Sequence, residues 1–208
     1  NPDPSGPAIS AEGSDALQRI GRILLEESEL LTSAREGKLD EAITHFLGKV
    51  AEFSGADRGY VFLFAEDGAW MTNSHEWCSP GIGPQIQILQ DLPIDVAPRV
   101  VERVFARKSV EIPDVASLPP DWAAEKEILS VQDIRSLVIL PMIADDHVIG
   151  YSGFDAVRAN RHWQAEQVSL LRILSNIVGS VLLRRKTDHE RDRLVAELEK
   201  ARDEAESA

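Results

Sequence analysis

The segment that most constrains the fold is an apolar hairpin in the last third of the chain. Ile134-Arg135-Ser136-Leu137-Val138-Ile139-Leu140-Pro141 is apolar enough to require cover on both faces. Asp145-Asp146-His147 makes a polar turn, and Val148-Ile149-Gly150-Tyr151-Ser152-Gly153-Phe154 returns. A helix then starts near Trp163 and runs to the last residue, longer than one core can use. Val168, Leu171, Leu174, Ile177, Val178, Val181 and Leu182 form its apolar stripe.

Upstream, Pro, Gly and Ser dominate residues 1–13, which read as a disordered linker. Ser14-Asp15 can cap a helix carrying Leu17, Ile20, Ile23, Leu24, Leu30 and Leu31. Gly37 interrupts, and Asp40 opens a second helix that Gly55 stops. Arg58 to Phe64 and Trp70 to Cys78 read as paired strands around Glu66-Asp67-Gly68. An irregular stretch with a short helix over Gln85 to Gln90 follows. Pro98 starts a helix, Val110 to Ile112 forms a short strand, and a helix runs from about Trp122 to Val131. This order predicts an α/β domain of the α+β type. Its central antiparallel sheet has five to six strands and cover on both faces.

The chain has 208 residues and a formal charge of −13. Residues 184–208 hold 7 basic and 8 acidic residues, so nearly all of that charge lies on residues 1–183. An acidic body disfavours nucleic acid, whose binding needs Lys and Arg to displace counterions. It also disfavours anionic lipid. No uninterrupted apolar run approaches the ~18 residues of a membrane span, so no membrane segment is expected. The first residue is not Met, and no apolar signal region follows. The chain therefore reads as a cytoplasmic piece cut from a longer protein. Cys78 is the single cysteine, which excludes an intrachain disulfide and a Cys-rich zinc site. No Gly-rich phosphate loop, serine nucleophile elbow or His-Glu-x-x-His run occurs.

The ordered fragments Ala56-Asp57-Arg58-Gly59-Tyr60, Ile112-Pro113-Asp114-Val115, Ile134 to Pro141 and Val148 to Phe154 together resemble the GAF family of small-molecule sensor domains. The resemblance covers about residues 38–183. It implies helices on one sheet face, and loops and short helices enclosing a ligand pocket on the other. Asn73 to Cys78 and Arg161-His162-Trp163 resemble a subgroup from bacterial multidomain signalling proteins. Such proteins often end in a histidine kinase of a two-component system or a diguanylate cyclase. The implied layout is a linker over 1–13, a signalling or dimerisation helix over 14–36, the GAF domain over 38–183 and a coiled-coil linker over 184–208.

Candidate pocket residues follow. Tyr60 and Phe62 share one face of the first strand. On the second, strict alternation groups Asn73, His75 and Trp77 on one face, and Trp70, Thr72, Ser74 and Glu76 on the other. Trp70, Asn73, His75 and Trp77 offer an aromatic wall with polar groups. The competing reading has the tryptophans as core or edge packing and His75 bonded to a loop. Trp122 and Glu125 sit on the helix that would roof the pocket. Ser136, Ser152 and Phe154 complete the set. Asp155 reads as a turn cap, and Arg135 and Asp114 as a pair. His75 and His162 could approach one ligand, but no spacing supports a metal. No catalytic residue is assigned.

The resemblance also limits chemistry. Bilin attachment needs a cysteine in the helical region about the pocket, which Cys78 at a strand end does not match. Relatives that reduce methionine sulfoxide use several cysteines. The Asn-Lys…Phe…Asp-Glu signature of cyclic-nucleotide binders is absent, which disfavours cyclic GMP. The cofactor is unknown.

From Arg184 the last helix turns polar, and Leu194, Val195, Leu198, Ala201 and Ala205 then resume helical spacing. Opposite charges stand at i,i+3 in Asp188–Arg191, Glu190–Arg193, Glu197–Lys200 and Glu199–Arg202, each contributing roughly 0.2–0.5 kcal/mol. That does not hold ~20 residues helical in water, so a partner helix is expected, most simply from a second copy in a parallel coiled coil. The first reading is thus a homodimeric sensor domain, itself not an enzyme, attached covalently to a C-terminal output module. A ligand-free dimerisation and spacer domain is the alternative, and a small redox enzyme using Cys78 is a third.

Overall fold

The computed structural model describes Glu26, residues 28–34 and residues 36–206. The linker expected over 1–13 and most of the helix expected over 14–36 lie outside these residues. The chain forms α1 (Ser28–Ser33), α2 (Leu39–Ser54), β1 (Arg58–Phe64), β2 (Trp70–Cys78), β3 (Leu92–Pro93) and α3 (Pro98–Phe105). It continues with β4 (Val110–Ile112), α4 (Ala123–Val131), β5 (Ser136–Ala144), β6 (His147–Ala156) and α5 (Ala165–Glu206).

The strands make one six-stranded sheet in the order β3-β2-β1-β6-β5-β4, every neighbouring pair antiparallel. The fold is the α+β architecture expected from the element order. Because both sheet faces are apolar, each needs its own cover. Phe46, Leu47 and Val50 of α2 and Leu171, Leu174 and Val178 of α5 join Val61, Val138, Leu140 and Phe154 in a core on one face. Val100, Val101 and Val104 of α3 and Leu129 of α4 pack with Tyr60, Phe62, Leu137, Ile139 and Tyr151 on the other.

Local signals explain most boundaries. Gly55 at φ 67° closes α2 in the left-handed conformation, its N–H reaching the carbonyls of Ala51 and Glu52. Asp145 and Asp146 take φ values of 47° and 61°, the double positive φ of a tight hairpin turn that suits strand twist. Gln164 starts α5 although it caps poorly through its own side chain. Gln167 compensates: its Oε1 accepts the Gln164 N–H at 3.0 Å, half of a capping box.

The structure departs from the sequence expectations in several places. Residues 85–90 form turns, not a short helix, and Leu92–Pro93 add an edge strand after them. In α5, Asp188 meets Arg191 at 3.2 Å as expected. Several of the other expected i,i+3 partners instead join i,i+4 pairs, Arg193 with Glu197 at 3.6 Å and Lys200 with Glu204 at 3.9 Å. Asp114 accepts from the Ala116 N–H at 3.1 Å and from the Ser117 hydroxyl, capping the following turn rather than pairing with Arg135.

One 18-residue window of α5 reaches a mean hydropathy of 1.3, so by length and composition this helix passes as a membrane-span candidate, contrary to the expectation from uninterrupted runs. Of that window 44% is buried within the domain, where Val168, Leu171, Leu174, Val178 and Leu182 cover the sheet. The stripe thus has a structural use as core. Beyond Leu182 no residue of α5 is buried, and Leu194, Val195 and Leu198 are 53%, 47% and 71% exposed. At 1.5 Å per residue, residues 183–206 span about 36 Å, the first of them still tied to the domain through Arg185–Asp40 and Lys186–Glu66.

Candidate functional site

A cavity of about 50 Å3 lies between the sheet and the α3–α4 cover. Tyr60, Phe62, Met71, Asn73, Ile139 and Tyr151 form its floor. Leu89, Leu92, Ala97, Val100, Glu125, Ile128, Leu129 and Gln132 form its roof and sides. Arg58, Glu76 and Asp155 close one end. The Phe62 and Tyr151 rings stack with centroids 5.0 Å apart, and Tyr60 meets Phe62 edge-on at 5.8 Å.

A β-bulge decides which β2 residues reach this space. Val61 pairs with His75 and Phe62 with Asn73, so Ser74 is the extra residue. The bulge breaks strict alternation. Asn73 and Glu76 both line the cavity, while His75 and Trp77 turn to the α2 side. The Asn73 amide nitrogen is assigned toward the carbonyls of Val61 at 3.2 Å and His75 at 2.9 Å, since an oxygen there would face only acceptors. It ties the bulge from inside.

Of the residues chosen from sequence, Tyr60, Phe62, Asn73 and Glu125 come together around the cavity. The others stand elsewhere, for definite reasons. Trp70 begins the strand and is 45% exposed opposite Pro93. His75 reaches Asp40 on α2 at 2.9 Å. Trp77 packs on Gly48 of α2, where an added Cβ would stand 2.7 Å from its Nε1. Trp122 packs at the border of the cavity-side core without lining the cavity. Ser136 donates to the Pro113 carbonyl at 2.9 Å and accepts from the Arg161 N–H at 2.6 Å, tying two loops. Ser152 pairs with Ser175 of α5, and Phe154 belongs to the α2–α5 core. His162 is exposed and His75 buried on the helix side, so the two do not converge. No cluster of three metal-binding side chains occurs among the described residues.

The charged end was not selected from the sequence. Arg58 and Asp155 sit opposite each other across β1 and β6, and Tyr60 and Glu76 across β1 and β2. All four are side chains of the cavity face. The signal was available in part: Arg58 stands two residues before Tyr60 and so shares its face. Arg58 Nε lies 3.7 Å from Glu76 Oε1, and Nη1 lies 3.5 Å from Asp155 Oδ2, in ion-pair but not hydrogen-bond geometry. Tyr60 lies across Gly153, where a Cβ would fall 2.2 Å from its ring, and donates its hydroxyl to Asp155 Oδ1 at 3.0 Å. Burial pushes the Asp155 carboxyl up to about 7 against the opposing pull of Arg58 and Tyr60. Burial raises both tyrosine hydroxyls well above their ordinary range.

Glu125 is 1% exposed. Its Oε1 accepts the N–H groups of Arg99 at 2.6 Å and Val100 at 3.4 Å, satisfying the first turn of α3, while Oε2 has no hydrogen-bond partner. Glu76 Oε2 likewise anchors a loop through the N–H groups of Gln85 at 2.7 Å and Ile86 at 2.9 Å. Cys78 stands at the end of β2, its thiol pushed up to about 11 by burial and by Glu76. At neutral pH it is a protonated thiol, a poor nucleophile.

The GAF domain family profile matches residues 38–182. The methanogenesis regulatory histidine kinase FilI of Methanothrix harundinacea (strain 6Ac) is 26% identical over 203 residues, covering 92% of this chain. This chain spans 23% of the length of that kinase. Among solved structures, the phytochrome photosensory core module of Stigmatella aurantiaca superposes with a TM-score of 0.68 at 14% identity, covering 93% of this chain and 41% of that one. The phycocyanobilin-bound GAF domain of a cyanobacterial phytochrome gives 0.64 at 20% identity, covering 84% and 97%. These likenesses share the fold described above. The profile match over most of the chain is decisive: the chain belongs to the GAF domain family.

Proposed function

We propose that this chain is a cytoplasmic sensory domain that binds a small molecule between its sheet and α4. It passes the bound state to a C-terminal output module, a histidine kinase or diguanylate cyclase, and is not itself an enzyme. The supporting observation is the cavity, in which side chains almost wholly removed from water carry polar atoms without hydrogen-bond partners. Such atoms are costly unless something satisfies them. The similarity to a regulatory histidine kinase and to a bilin-bound domain of this family points the same way. Within this reading, residues 184–208 are the linker. Leu194, Val195 and Leu198 lie on its outward length and suit a parallel pairing with a second copy.

A specific observation favours a second reading. About 50 Å3 is room for one or two waters, and a domain used only for dimerisation and spacing needs no more. Native mass spectrometry of the purified chain separates the two. A dimer carrying a small adduct that is lost in Leu129→Trp supports the sensor. A bare dimer selects the spacer, and a bare monomer at tens of micromolar removes both.

A further inference from the structure

The walls of the cavity specify the charge of what would occupy it. Arg58 already stands between two carboxylates, Glu76 and Asp155. Tyr60 spends its hydroxyl on Asp155. Gln132 donates to the Ile128 carbonyl at 3.0 Å, and Asn73 donates into the bulge. Tyr151 donates to Met71 Sδ at 3.4 Å. Those side-chain donors are thus engaged; Arg58 Nε and Nη1 make no hydrogen bond but face Glu76 Oε1 and Asp155 Oδ2 as ion pairs, and the cavity holds one fixed cation against three carboxyl groups. Glu76 Oε1 and Asp155 Oδ2 also lack hydrogen bonds but face Arg58, whereas Glu125 Oε2, on a buried side chain that lines the cavity, has neither a hydrogen bond nor an ion pair among the described residues to offset it. An anion brought in beside these carboxyl groups would meet no free cation. The remaining lining is aromatic and aliphatic.

We propose that the site selects a compact organic cation, a primary ammonium on an apolar body of one or two carbons that about 50 Å3 can hold, whose N–H donors bond Glu125 Oε2 while its body lies against Phe62, Tyr151, Leu129 and Ile139. This deepens the sensor reading and rests on it. The carboxyl group of Glu125 then serves twice. One oxygen orders the start of α3 and the other meets the ligand, so occupancy acts on the contact between α3 and α4 that covers the cavity.

Two matched series small enough for about 50 Å3 test the idea by amide chemical-shift titration of the whole chain: methylammonium, methanol and formate, and ethylammonium, ethanol and acetate. The expected result is saturable binding of an ammonium at least tenfold tighter than its alcohol or carboxylate. Its shifts should centre on Phe62, Leu129 and Tyr151 and vanish in Leu129→Trp. Glu125→Gln keeps an oxygen for the Arg99 and Val100 N–H groups and turns the free atom into a donor. It should weaken ammonium binding about tenfold or more with little change in melting temperature. Tighter binding of the alcohol or carboxylate in the cavity overturns the cation assignment and leaves the sensor reading standing. Shifts confined to the acidic surface, or an unaltered preference in Glu125→Gln, overturn it equally. Failure of all six probes to bind overturns it too, and a bare protein in native mass spectrometry then takes the sensor reading with it.

Discussion

His75 Nε2 lies 2.9 Å from Asp40 Oδ1, and the same carboxylate oxygen accepts from Arg185 on α5. One exposed carboxylate thus joins the strand that carries the cavity bulge to the helix that leaves the domain. Ser74, the bulge residue, completes the chain with its hydroxyl 2.9 Å from His75 Nδ1. Asp40 sits in the first turn of α2, where a negative charge also suits the helix dipole.

This relay has a defined electrostatic signature. Burial lowers the His75 pKa, Asp40 opposes that, and Arg185 adds to it. Asp40→Ala should therefore lower the imidazole pKa further and Arg185→Ala should raise it, read by NMR titration of the ring protons. Because the folded pKa is depressed for a base, the native state is favoured above the unfolded value of about 6.5 and loses stability as pH falls through the folded value. Asp40→Ala should steepen that acid loss, although at neutral pH so exposed an ion pair contributes only about 0–1 kcal/mol.

Asp155 acts with the opposite sign. Its carboxyl is raised from 3.8 to about 7, so the folded state holds a proton that the unfolded chain has released. Below about pH 4 both states are protonated and the shift contributes nothing. Between about 4 and 7 it costs progressively more, and above 7 the whole penalty applies. Asp155→Asn keeps an acceptor for Tyr60 without the charge. Urea denaturation should show its stability relative to wild type rising by about 1 kcal/mol or more between pH 5 and pH 8. A pH-independent difference would contradict the burial argument.

Gly153 is held small by Tyr60. Gly153→Ala places a methyl 2.2 Å from the ring, and that ring is buried on the cavity floor. The expected cost is about 1–3 kcal/mol. The loss of the Tyr60–Asp155 hydrogen bond should appear as a changed tyrosine absorbance near 280 nm. Gly68, whose turn position has no atom within 4 Å of an added Cβ, is the contrasting site, though its φ of 68° gives alanine some strain.

The buried serines of β6 and α5 predict an asymmetry. Ser175 donates to the Leu171 carbonyl at 2.7 Å, so the hydroxyl of Ser152 is left to donate to Ser175. Ser152→Ala leaves Ser175 bonded and should cost little. Ser175→Ala strands the Ser152 hydroxyl against a helix and should cost about 1–2 kcal/mol. The double alanine variant should recover part of that loss, as a double-mutant cycle in urea would show.

Element identity was legible because it rests on local physics. Gly55, Pro98 and the Asp145-Asp146 turn act within a few residues, and apolar spacing marked α2 and α5 correctly. β3 escaped notice because two residues carry no period, and the bend at 85–90 because its order comes from Glu76 accepting two distant N–H groups. The candidate site was legible only where face could be inferred. Tyr60 and Phe62 share the cavity face through simple alternation, and Glu125 through its place on the roofing helix.

What the sequence by itself determined is the set of elements, their order and a sheet needing cover on both faces. Tertiary structure decided which face is which. Alternation says that Ser152 and Phe154 share a side and that Tyr151 and Asp155 share the other, but with both sides apolar it cannot say which side faces α5. The bulge at Ser74 arises from register against β1, information that β2 does not contain alone. The joining of Arg58, Glu76 and Asp155 likewise depends on three strands meeting, because charges distant in sequence are brought within reach only by pairing.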